Sequence, residues 1–258
     1  YQFILVNGKV LITPAINYQY AYANDKDYTI NRGLSGTFNG EGHIDNIAGS
    51  VKFDLSLVDN LRIILAGRYD KSNYPKDKGA FSYQGIVNYG LSENHIIRFL
   101  TGTSYNGSFL VPTLINTTTP IGPGMQLSLS GNKNLDLLGN TLYEFGYRAR
   151  FGNFLSLDLA FFNQTFNNFN VLILQKPQFD PVASLLNFPF NTENIPLEVK
   201  QNGVTFTLQS TLLQGKVQVR PHITLQTTTL DNYSPNYNLQ GAYDNPSFNY
   251  YFDGHVDS

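Results

Sequence analysis

The sequence has no cysteine, no tryptophan and one methionine. It also has little charge: 17 Lys and Arg and 19 Asp and Glu make up 14% of its 258 residues. Each shortage excludes something. Without thiols there are no disulfide frameworks, thiolate zinc sites or cysteine nucleophiles. A formal net charge of -2 leaves no basic footprint for nucleic acid. No apolar run reaches the roughly 18 residues that a membrane-crossing helix needs. The longest, such as Ile63–Ala66, are strand-sized. Charge is well under the roughly 25% of soluble domains, yet 17 Tyr and 19 Phe argue against a disordered chain. Tyr1–Val6 show neither a basic leader region nor a cleavage site and read as part of a strand.

What is present is alternation with period two, the mark of half-buried strands. Tyr143, Phe145 and Tyr147 oppose Glu144, Arg148 and Arg150. Leu155, Leu157, Leu159 and Phe161 oppose Ser156 and Asp158. The same holds for Val51–Leu57, Leu61–Asp70, Val204–Thr211 and Lys216–Gln226, although Pro221 interrupts the last and marks a bulge or a sheet edge. Short connections fall at Asn7-Gly8, Val58–Asn60, Ser92–Asn94, Gly152-Asn153 and Gln214-Gly215, where Gly, Asn and Asp suit tight turns. Long ones fall near 24–42, 71–79, 106–139 and 166–201. Short and long alternate along the chain, so in an up-and-down meander all the short turns lie at one end. Outer-membrane barrels have this asymmetry, with short periplasmic turns and long extracellular loops.

The pattern therefore predicts an all-β fold, a transmembrane antiparallel up-and-down β-barrel with about ten strands of ten to thirteen residues. A soluble sandwich shares the alternation but has no reason to gather its long loops on one side. Apolar faces would meet lipid, and the opposite faces, carrying Arg68, Asp70, Arg98, Glu144 and Asp158 among others, would line the lumen. Cross-strand pairing is the ordinary role of such charges, and ligand contact the further one. No return strand is visible after 229, and an open edge is not tolerated in lipid. The expectation is that residues 1–258 form a contiguous portion of one larger barrel domain.

Gly131-Asn132-Lys133-Asn134-Leu135, followed by Tyr143-Glu144-Phe145-Gly146-Tyr147-Arg148, resembles a signature of TonB-dependent outer-membrane receptors, G-N-P-x-L-x-P-E and then Y-E-x-G-Y-R. Lys133 stands where that family has Pro, and Asp136-Leu137-Leu138 replaces the P-E stretch. Leu61-Arg62-Ile63 before Gly67-Arg68-Tyr69-Asp70, His95–Arg98 before Phe109–Pro112, and Asn202-Gly203-Val204 are similar to further family positions, in family order. The resemblance implies a 22-stranded barrel with a plug folded inside it. It implies import of a scarce nutrient, a glycan, a siderophore or similar, driven by TonB with ExbB and ExbD. It implies as partners a plug domain, the remaining barrel strands, outer-membrane lipid and, in some members, a surface lipoprotein. No plug and no TonB box are recognisable in this chain. The Tyr- and Asn-rich composition resembles receptors of Bacteroidota, where glycan importers with lipoprotein lids are common. The alternative is a passive porin or a structural barrel subunit of a surface complex.

No catalytic, cofactor or metal constellation is recognised. His43, His95, His222 and His255 are scattered, without helical metal spacing. Gly33-Leu34-Ser35-Gly36 misses the nucleophile-elbow spacing, and Gly40-Glu41-Gly42 lacks the third glycine of a dinucleotide loop. Asp25 and Asp27 lack the rest of a calcium loop. The expectation is no enzyme and no cofactor. Ligand capture falls to the long loops, with Tyr105, Asn106 and Phe109 as candidates, joined by Arg68 and Arg98 as lumen-facing residues expected toward the outer strand ends. The loop aromatics Phe166, Phe169, Phe179, Phe188 and Phe190 either stack on a ligand or pack the loops on themselves.

Overall fold

The computed structural model describes residues 2–26, 36–75, 78–107, 109–152, 154–212 and 216–233. Asp27, Gly33–Ser35, Asn153, the Gln214-Gly215 turn and His255 lie outside them. The strands in chain order are β1 (Phe3–Leu5), β2 (Val10–Asn24), β3 (Glu41–Val58), β4 (Leu61–Ser72), β5 (Gly79–Ser92) and β6 (His95–Asn106). A short helix, α1 (Leu110–Leu114), follows. Next come β7 (Asn116–Gly122), β8 (Met125–Ser130), β9 (Leu138–Phe151), β10 (Leu155–Asn167), β11 (Asn170–Leu174) and β12 (Gln178–Asp180). The last are β13 (Leu185–Asn194), β14 (Glu198–Leu212), β15 (Val217–Val219) and β16 (His222–Asp231).

The main sheet runs β1-β2-β3-β4-β5-β6-β9-β10-β14, with β15 and β16 both on β14, and every pairing is antiparallel. β15 and β16 keep one register, Ser210 opposite Val219 and Thr207 opposite His222, so they are one strand interrupted at Pro221. Leu208 N–H donates to the Pro221 carbonyl at 3.1 Å, and the proline nitrogen has no hydrogen to return. Among the described residues this is an outermost strand, the position a strand proline tolerates.

Alternation sorts the side chains as the sequence requires. One face carries Ile16 (84% exposed), Phe81 (59%) and Leu225 (66%), with Leu65, Phe99, Phe145, Phe161 and Phe206 also exposed. No second layer covers this face, and no large side chain among the described residues is fully buried. In water so broad an apolar surface would be an unmanageable patch. In a bilayer it is the solvated face, and each Leu- or Phe-sized side chain removed from water contributes about 1.5–3 kcal/mol. The other face carries ion pairs across neighbouring strands: Arg62 on Asp54, Arg98 on Glu144, Arg148 on Asp158. The all-β transmembrane reading therefore holds. The strand lengths need correcting: β3 has 18 residues and β2 and β14 have 15. Tilted strands of about 9–11 residues cross a bilayer, so these extend beyond it.

The described tight turns, 6–9, 59–60 and 93–94, lie at one end together with Gly152 and Phe154, and the long connections lie at the other. Val6, Asn7, Gly8 and Gly152 take positive φ there, as tight hairpins require. Each turn region is tied to its neighbour: Ser56 N–H to Lys9 O, Gly90 N–H to Asn60 O, Arg150 N–H to Asn94 O.

Two of the expected loops are not loops. Segments 106–139 and 166–201 supply a second sheet, β11-β13-β8-β7 with β12 on β13, in which β13 and β8 run parallel. Phe188 and Phe190 stand opposite Leu127 and Leu129, so two of the loop aromatics build the loops. Short runs broken by Pro120, Pro123, Pro177, Pro181 and Pro189 hide these strands from a pattern search.

Candidate functional site

The segment after β6 does not stay over β6. It crosses the inner face and sets α1 against β2 and β3. Gly42, whose position in β3 faces inward beside Ile44, is where Leu114 lands; a Cβ there would stand 2.8 Å from Leu114 Cδ1. Asn116 N–H then donates to Thr37 O at 2.9 Å. The inner wall and this crossing segment bound a chamber of about 1110 Å³ at the long-loop end. That is slightly larger than the roughly 300–1000 Å³ of small-molecule sites.

Two ion pairs order the chamber. Arg68 of β4 forms a bidentate pair with Asp70 on the same strand face, Nε to Oδ2 and Nη2 to Oδ1, both 2.7 Å. Asn46 of β3 adds its amide to Asp70 Oδ1 at 3.0 Å. At the rim, Lys78 Nζ donates to Asp136 Oδ1 at 2.6 Å. Asp136 is also a junction of backbone: its N–H donates to Asn194 Oδ1 at 2.7 Å, and Asn194 Nδ2 returns a bond to its carbonyl at 3.1 Å. Asn194 Nδ2 also reaches Asn168 O at 3.1 Å. Three long connections, those after β4, β6 and β10, are thus joined around one aspartate. Lys133 lies 5.5 Å over the Tyr74 ring, a second tie between the first two.

Outside the strands, the carboxylate of Asp25 accepts N–H bonds from Gly40 (2.9 Å) and Phe38 (2.6 Å). Those bonds favour the charged form and hold its carboxyl below the usual aspartate value. This closes the ends of the connection between β2 and β3.

The chamber brings together Arg68, Tyr105, Asn106 and Phe109. Arg68 and Asn106 share the inward row. Tyr105 does not: in the β6–β9 register it falls in the outward row with Phe99, Thr101 and Thr103, so only its strand end borders the chamber. Phe109 stands in the crossing segment, just before α1. Arg98 is elsewhere. β6 begins at His95, directly after the tight turn, so Arg98 lies toward the short-turn end and not the outer end. There it donates to Glu144 at 2.7 Å, lies 3.8 Å from Asp158, and lines a different cavity of about 1130 Å³ with Arg62 and Arg148. Strand direction after a tight turn could have located it. Lys78, Asp136 and Asn194 carry no such signal, since 58 residues separate each bonded pair.

The family model described as TonB dependent receptor-like, beta-barrel, matches residues 4–257. No curated protein matches the chain. Solved structures do. A variant of the ferric enterobactin receptor PfeA from Pseudomonas aeruginosa has a TM-score of 0.70 at 14% identity, over 89% of this chain and 37% of that one. The siderophore receptor PirA from Acinetobacter baumannii has a TM-score of 0.66 at 13% identity, over 89% and 35%. The outer membrane transporter YddB from Escherichia coli has 0.60 at 14%, over 89% and 32%. The chain spans about a third of the length of these receptors, and at such identities the likeness carries the fold alone.

Proposed function

Since the chain belongs to the TonB dependent receptor-like β-barrel family and lies in the bacterial outer membrane, we propose that it forms part of the wall of a receptor that imports a scarce nutrient by TonB-coupled transport. The family and fold are those of transport receptors. All 258 residues belong to one barrel domain in this reading, and the rest of the receptor supplies the remaining strands, the plug and the contact with TonB, ExbB and ExbD. The ladder, open among the described residues, and the one-third coverage support it. A glycan or a siderophore is the cargo class, and a surface lipoprotein is a further partner if the Tyr- and Asn-rich composition reflects a Bacteroidota origin.

The observation that carries the reading is the chamber at the long-loop end, where Arg68, Asn106 and Phe109 meet. It is the first space a ligand arriving from outside would enter. The short-turn cavity around Arg62, Arg98 and Arg148 is where the plug would lie against the wall. The test is accumulation of labelled maltohexaose and of a labelled ferric siderophore in cells carrying the whole receptor, with and without TonB. The reading expects accumulation of one probe that stops without TonB. Accumulation that continues without TonB would make this a passive porin.

A further inference from the structure

The chamber's charged side chains are paired with one another. Among the described residues four line it, Arg68, Asp70, Lys78 and Asp136, and these sum to zero. Arg68 is held by Asp70 through both fork positions, and Lys78 by Asp136. A site for an anionic ligand keeps cations whose partner is the ligand; here carboxylates already stand against both, and would repel an incoming anion.

The hydrogen-bonding capacity that is left has a different character. A carboxylate has about four acceptor positions. Asp70 uses three, two for Arg68 and one for Asn46, which leaves one on Oδ2. The Arg68 fork keeps donors beyond the two it gives to Asp70. A hydroxyl group donates and accepts, so it satisfies both halves of such a pair at once. An anion satisfies only the donors. The amide of Asn106 offers the same double role, and Phe109, 52% exposed, offers a ring face.

We infer that this wall of the chamber receives an uncharged, hydroxyl-rich ring compound, of which a short neutral oligosaccharide is the type. Hydroxyls bridge the Arg68–Asp70 pair and meet Asn106, and a sugar ring lies against Phe109. The inference rests on the chamber being the ligand site, and it departs from the ferric enterobactin and siderophore receptors that share the fold.

The test is calorimetric titration of the whole receptor in detergent with maltohexaose, xylohexaose and a fructo-oligosaccharide, and with a ferric tris-catecholate as the anionic probe. At least one neutral sugar should bind, with an affinity that changes less than about threefold between low and high salt. Asn106→Ala and Phe109→Ala, both at the chamber and neither in an ion pair, should each weaken it about tenfold. Failure of every neutral sugar overturns the inference. So does salt-sensitive binding of the catecholate that is lost in Arg68→Gln. If a sugar binds but neither Asn106→Ala nor Phe109→Ala weakens it, the chamber is not the ligand site, and the reading beneath the inference fails with it.

Discussion

At the scale of single residues, the inner wall is held by pairs whose two halves are not equivalent. Asp54 is 7% exposed, and its two oxygens take Arg62 Nε at 2.9 Å and Nη2 at 2.6 Å, while Arg62 itself is exposed along half its length. Arg62→Ala leaves a buried carboxylate without its donors and should cost about 1–3 kcal/mol. Asp54→Ala leaves a guanidinium that water can reach and should cost clearly less. Urea unfolding of the two variants from micelles checks the order. Asp25 gives a pH prediction with a definite sign. Its folded carboxyl lies below the unfolded value of about 3.9, so its contribution is complete above that value and is lost as pH falls through the lower, folded one. The protection factor of the Gly40 amide, its exchange rate relative to the intrinsic rate at the same pH, should therefore fall in acid and hold at higher pH, and Asp25→Ala should show the low protection at every pH. The inward, outer-end place of Arg68 was legible because parity and distance from the nearest tight turn both give it. The partnership of Lys78 with Asp136 was not, because it joins two irregular segments without a period.

At the scale of elements, the main strands follow from alternation because one face meets lipid and the other water, which leaves each side chain one suitable direction. The loop sheet shows where that logic stops. β8 and β13 pair in parallel across 61 residues, and both of their faces are half-buried, so neither hydrophobic period nor turn chemistry marks them. Parallel pairing also needs no shared turn that sequence could betray. Pro221 is a local conflict in the main sheet. Its apolar neighbours face outward, and its missing N–H leaves Leu208 O without a return bond. Pro221→Val should restore that bond and stabilise the protein by about 0.5–1.5 kcal/mol, read as a shift of the urea midpoint at unchanged slope. A loss of stability would mean that the proline contributes a bend the barrel needs.

At the scale of the whole molecule, the central claim is that one ten-stranded sheet separates lipid from an inner wall, with the chamber on that wall at the end opposite the tight turns. The alternating turn lengths, the exposed apolar face and the family match over residues 4–257 all agree on it. These 258 residues contain no cysteine, so labels introduced within them meet no native thiol of this segment. The most direct measurement places spin labels, in the whole receptor in lipid vesicles, at Leu65→Cys, Ala66→Cys, Phe81→Cys and Ser82→Cys, and compares collisions with oxygen and with a water-soluble nickel chelate. Leu65 and Phe81 should collide with oxygen and Ala66 and Ser82 with nickel, a period of two across neighbouring strands. Equal nickel collisions at all four positions, or the opposite phase, would contradict the account.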